Sequence, residues 1–146
     1  MAAAGRSDVV EEILGRFTAA GGRRTASRQA IIEAVVGAGG HMTAEQIATT
    51  VQARFPSVNL STVYRTLEAL EELRVVDHVH LGHGRAVYHL TDETHQHLFC
   101  EQCERVEELP ISKLKPLFGM LEKEFGFNLD RRHFALVGTC SACAAR

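Results

Sequence analysis

What this sequence lacks narrows its class first. No apolar run in its 146 residues approaches the roughly 18 that a membrane span needs. The opening Met1–Ala4, followed by Gly5, Arg6, Ser7 and Asp8, has no positively charged start leading into an apolar core. A signal peptide is therefore not expected, and a cytoplasmic location is. Disulfides are rare there, which turns attention to cysteines as metal ligands or catalytic groups. No internal repeat or low-complexity segment is present. A strongly basic region is also missing. Residues 1–85 carry nine Arg, no Lys and nine Asp or Glu, and residues 86–146 carry seven basic against nine acidic side chains. A domain-wide positive field is the usual footprint of nucleic-acid binding. Any DNA contact here has to rest on a local patch.

What is abundant is histidine. Six of the eight histidines (His78, His80, His83, His89, His95 and His97) fall within 20 residues, where even scatter would place about one. Imidazole is the commonest biological metal ligand, so this window is where chemistry is expected. The only cysteines are Cys100, Cys103, Cys140 and Cys143, two C-x-x-C pairs separated by 36 residues. Two residues between thiolates let one tight turn present both sulfurs to a single ion. Two such knuckles complete a closed tetrahedral site, which points to structural rather than catalytic zinc. The alternative is two disulfides or a redox pair of thiols.

Apolar periodicity places these groups on elements. Val10, Ile13, Leu14 and Phe17 share a helical face, predicting a helix over Val9–Ala20 that Gly21-Gly22 stops. A second helix is expected from about Ser27 to Val36. Thr43-Ala44-Glu45-Gln46 reads as a capping box opening a third, which Pro56 ends. A fourth runs over Asn59–Leu73, with Leu60, Val63, Leu67 and Leu70 inward and Ser61, Tyr64, Arg65 and Glu68 outward. Val75–Leu81 and Arg85–Leu90 read as strands of a hairpin around Gly82-His83-Gly84. Helices followed by a hairpin make the order of a winged helix-turn-helix. Beyond it, strands are expected at His97–Cys100, Arg105–Leu109 and Phe134–Val137, and a helix at Ser112–Phe125, where Pro116 is tolerable in the first turn. The expected class is α+β: an N-terminal winged helix-turn-helix over residues 1–88, a hinge at 89–94, and a C-terminal α/β dimerisation domain with a four-cysteine zinc site over 95–146.

His78 and His80 lie two apart on a predicted strand and so share a face, and His95 and His97 repeat the spacing. Each pair is half a metal site, with His41, His89, Glu93, Glu108 and His133 as candidates to complete it. Any one of these histidines, taken alone, reads as a surface or core residue with a satisfied hydrogen bond. Such imidazole-rich sites suit nickel, zinc, copper or iron. In a helix-turn-helix the second helix enters the major groove, which nominates Ser61, Thr62, Tyr64 and Arg65 for DNA. Arg23, Arg24 and Arg28 cluster before the second helix. A solvated amphipathic helix would show much the same pattern.

Ser61-Thr62-Val63-Tyr64-Arg65-Thr66-Leu67, His95-x-His97-x-x-Cys100-x-x-Cys103 and Cys140-x-x-Cys143, in this order, resemble the ferric uptake regulator superfamily. The resemblance spans nearly the whole chain. It implies a homodimeric, metal-dependent repressor, with Arg23 in the minor groove and Tyr64 and Arg65 in the major groove. It implies an interdomain metal site at His41, His89, His95, His97 and Glu108. Many members carry a carboxylate where this chain has His89, so the site is either more nitrogen-rich or uses Glu93. A further site of iron-type members looks dismantled, because its positions here are Thr94, Gln96 and a residue near Lys115. His78-Val79-His80-Leu81-Gly82-His83-Gly84 with His133 is similar to the nickel uptake regulator branch, which implies nickel at His78, His80 and His133.

The expected function is a repressor that binds a palindromic operator on double-stranded DNA as a homodimer when loaded with a divalent metal. Nickel is favoured, with Fe2+, Zn2+ or Mn2+ as alternatives, together with structural zinc on the cysteines. Iron-, zinc- or peroxide-sensing within the superfamily is the nearest alternative. A three-histidine metalloenzyme on His78, His80 and His133 would need a general base, and no Glu or Asp stands beside the pairs in an HExxH-like arrangement. No enzyme is expected, nor any membrane partner. A zinc-built interaction module without DNA binding is the third class.

Overall fold

The structure, a computed structural model, describes residues 4–81, 84–91, 95–132 and 134–146. The chain divides into two compact units: Met1–Asp77 with Val87–Thr91, and His78–Ala86 with Asp92–Arg146.

The first unit is built on four helices, α1 (Ala4–Ala19), α2 (Ala26–Ala38), α3 (Ala44–Gln52) and α4 (Leu60–Glu72). Helix α1 begins five residues before the expected start, because the exposed Gly5–Asp8 carry no apolar stripe to announce it. Thr25, Thr43 and Asn59 cap α2, α3 and α4 by accepting from amides three residues on. Thr43 and Gln46 form the expected reciprocal capping box. Helix α3 closes at Gln52, well before Pro56. Ile31, Ile47, Val63 and Leu67 are fully buried. Each such side chain contributes about 1.5–3 kcal/mol by leaving water. Leu60, expected inward, is half-buried, and Thr66 takes the remaining buried place on α4 by returning its hydroxyl to the Thr62 carbonyl (2.9 Å).

Strand β1 (Met42–Thr43) was too short to leave a period in the sequence. With β2 (Val76–His80) and β3 (Ala86–Leu90) it forms a three-stranded sheet in the order β1-β3-β2. Gly82 and His83 of the expected hairpin turn lie outside the described residues.

In the second unit, β4 (His95–Cys100) is central, antiparallel to β5 (Val106–Pro110) and parallel to β6 (Leu136–Gly138). Strand β4 starts two residues earlier than expected, so His95 and His97 both sit on it. The expected helix from Ser112 divides into a 3-10 turn (Ile111–Lys113) and α5 (Lys115–Phe125), because Pro116 has no amide hydrogen for a preceding turn. Only Leu114 and Phe118 of this segment are buried, while Phe125 remains 69% exposed in the single chain. Phe118 meets Phe134 edge-on at 6.2 Å, and the Arg131 guanidinium lies over the Phe118 ring at 4.7 Å. A short helix, α6 (Ser141–Ala144), ends the chain.

Candidate metal centres and nucleic-acid interface

The cysteines are brought together by the parallel β4–β6 pairing. Parallel strands end side by side. Cys100 is registered with Gly138, and the Glu101 amide donates to the Gly138 carbonyl (2.9 Å), so both C-x-x-C turns emerge at one end of the sheet. The first knuckle closes through Glu104, which donates its amide to the Cys100 carbonyl with φ of 59°. The second is α6 itself, where Cys143 donates to the Cys140 carbonyl (3.0 Å). The four Sγ atoms lie within 4.8 Å of one another, and none is in a disulfide.

Cys103 and Cys140 are 3.8 Å apart. A tetrahedral site with Zn–S bonds of about 2.3 Å requires sulfurs about 3.8 Å apart, so the donor set fits zinc. The Cys140 amide points at the Cys100 sulfur (3.3 Å). Together with the Cys103 amide it holds that thiol down to about 6. Hydrogen bonding to Cys140 and then Cys103 pushes Cys143 up to about 12. The Cys100 sulfur is thus favoured as thiolate, the form that ligates a cation.

The histidines fall into pairs, described unit by unit. In the first unit His41 and His89 have ring centroids 4.8 Å apart, and His89 Nδ1 lies 2.8 Å from the Leu90 carbonyl oxygen. In the second unit His95 and His97 share a face of β4 at 5.0 Å. Glu108 lies directly across from His97 on β5, and its Oε1 is 3.8 Å from His95 Nε2. His78 and His80, on β2, stand edge to face at 5.1 Å. His133, Glu93 and Thr94 lie outside the described residues. Gln96 is buried and gives its side-chain amide to the Arg131 carbonyl.

The candidate DNA residues sit on and before α4. Ser61, Tyr64 and Arg65 are exposed and Thr62 is half-buried. Asn59 Oδ1 accepts from the Thr62 amide (2.9 Å) and from the hydroxyls of Ser61 (2.6 Å) and Thr62 (3.0 Å), fixing the first turn. The three arginines before α2 part company. Arg24 is clamped by both carboxylate oxygens of Glu11 (2.9 and 2.6 Å), and Arg28 donates to the Arg23 carbonyl (2.6 Å) and covers the Phe17 ring. Arg23 is exposed. Sequence reading saw one basic cluster and missed the pairing with Glu11, which lies 13 positions away.

The profile of the ferric uptake regulator family matches residues 19–136. The chain belongs to this family. It is 35% identical over 107 residues to the ferric uptake regulation protein of Bacillus subtilis, covering 70% of this chain and 72% of that one. It is 24% identical over 134 residues to the peroxide-responsive repressor PerR of Staphylococcus aureus, covering 92% and 90%. Its fold is similar to the Helicobacter pylori ferric uptake regulator, with a TM-score of 0.79 over 95% of this chain and 93% of that one at 18% identity. Members of the family are dimeric, DNA-binding, metal-responsive transcription regulators and not enzymes. Among the described residues no helix is long and apolar enough to cross a membrane.

Proposed function

We propose that the chain is a nickel-responsive repressor that binds a palindromic operator as a homodimer. In this reading residues 1–88 form a winged helix, 89–94 a hinge, and 95–146 the dimerisation domain with zinc on Cys100, Cys103, Cys140 and Cys143. The observation that carries the nickel assignment is the His78–His80 pair, two imidazoles at 5.1 Å on one strand face. Nitrogen donors of this kind favour nickel over manganese. His133 is the third ligand. The family resemblance assigns a second regulatory site to His41, His89, His95, His97 and Glu108.

Ser61, Thr62, Tyr64 and Arg65 present the first turn of α4 to the major groove, held by the Asn59 cap, and Arg23 reaches the minor groove. When bound, the regulatory metal supplies a link between donors on separate elements. The histidines can shift the equilibrium toward the DNA-competent arrangement only if they ligate better in that arrangement than in the alternatives. Imidazoles ligate when deprotonated, so acid weakens the response.

An iron- or peroxide-responsive regulator is the second reading, favoured by the names of the relatives. Operator binding by metal-stripped, zinc-retaining protein, measured with nickel, zinc, iron(II) and manganese in turn, separates them. Restoration by nickel at the lowest free concentration supports the assignment. Restoration by iron(II) or manganese instead replaces it, and indifference to all four removes the sensor reading.

A further inference from the structure

We infer that Glu45 is a positioning residue for DNA recognition: its carboxylate holds the Tyr64 hydroxyl and so fixes the ring that α4 presents to the bases. This rests on the DNA-binding reading above. Tyr64 stands on the outward face of α4, 36% exposed, with Arg65 and Glu68 exposed beside it. Its hydroxyl donates to Glu45 Oε1, 3.5 Å away across 19 positions of chain. Glu45 lies in the first turn of α3, where the free helix amides favour a negative charge.

The start of α3 is itself held in place. Thr43 and Gln46 lock it through the reciprocal capping box, and Met42 is paired with Tyr88 on β3. Burial pushes the Tyr88 phenol up, and Glu71, Tyr64, Glu68 and Glu45 add to it, so both ends of the bond lie close to a side chain the core holds still. Glu68 and Glu71 stand on α4 with Tyr64. Glu45 is the acceptor that reaches it from a second helix.

An exposed tyrosine samples several rotamers, and ordering such a side chain on binding costs affinity. A ring anchored at its Cα by α4 and at its hydroxyl by α3 has given up that freedom before DNA arrives. With the hydroxyl committed to a carboxylate, the ring itself is left for the groove. That suits apolar contact with a thymine methyl rather than a hydrogen bond to a base edge.

The test uses the full, zinc- and metal-loaded chain and a palindromic duplex that this chain selects from a random pool. Glu45→Gln and Glu45→Ala are both neutral, so their comparison isolates the acceptor from the charge. We expect Glu45→Ala to bind the duplex about two- to tenfold more weakly than Glu45→Gln. On a Tyr64→Phe background that difference should vanish. Replacing the contacted thymine by uracil, which lacks only the methyl, should cost Glu45→Gln more than Glu45→Ala. The sequence has no Trp and two Tyr, so Tyr88→Phe leaves Tyr64 as the sole emitter. Its fluorescence, quenched by a hydrogen-bonded carboxylate, should rise when Glu45 is replaced. Equal affinities for the two Glu45 variants, or a difference that persists in full with Phe at position 64, overturn this inference and leave the regulator reading intact. Selection of no duplex with nickel, zinc, iron(II) or manganese overturns both.

Discussion

The sulfurs of Cys103 and Cys140 stand 3.8 Å apart across 37 positions of chain. That closeness depends on β4 and β6 running parallel, and a shared ion would lock the pairing in turn. Structural zinc in small domains is worth about 10–16 kcal/mol, comparable to a whole domain's stability. Cys140→Ser, or strong chelation, should therefore remove about one zinc per chain and melt the second unit while the four-helix unit persists. Zinc content and far-ultraviolet dichroism read both effects. Retention of the full melting transition after zinc loss would count against a structural role.

Gly22 has no room for a side chain. A Cβ there would meet the Phe17 ring at 2.2 Å and the Phe17 carbonyl oxygen at 2.8 Å. The carbonyl belongs to the backbone and cannot simply swing aside. Gly22→Ala should cost about 1–3 kcal/mol and shift the neighbouring Arg23, so operator affinity should fall with stability. A thermal melt identical to the parent's would show that the turn is softer than this packing implies.

Tyr88 is pushed up to about 12, first by burial and then by Glu71, Tyr64, Glu68 and Glu45. A phenol whose folded value lies above its unfolded value of about 10 supports the fold fully below that pH, and the support fades as pH climbs from about 10 to about 12. Phenolate absorbance should show an ionisation near pH 12 that disappears in Tyr88→Phe. If the step lost in that variant falls near pH 10 instead, Tyr88 is not buried as described.

The arginines should separate in salt titrations. Arg23→Ala and Arg65→Ala should weaken operator binding, and loss of a phosphate contact lowers the logarithmic salt slope by about one. Arg24→Ala breaks a solvent-exposed ion pair with Glu11 that contributes little to stability, and should leave the salt slope unchanged. An Arg24→Ala variant with the largest slope change would invert the assignment.

Much of this architecture follows from spacing alone. Val63, Leu67 and Leu70 recur at helical intervals, so the inward face of α4 and the outward positions of Tyr64 and Arg65 were readable without coordinates. Thr43 and Gln46 announced the start of α3. What local pattern determines, one segment of sequence contains.

The pairings were different in kind. C-x-x-C spacing determined that each knuckle could offer two sulfurs to an ion. That the two knuckles meet was decided by β6 joining β4 in parallel, a pairing between segments far apart in the chain. His41 carried no local signal, since β1 spans two residues and a period needs more. Its partnership with His89 exists only because β1 adds to β3 in one register. By composition Arg24 and Arg28 were equivalent to Arg23, and only the family resemblance set Arg23 apart until folding brought Glu11 and Phe17 against the other two. Chemistry carried by a side chain is written in the sequence, whereas which side chains share an ion or a groove depends on contacts between residues far apart in the chain.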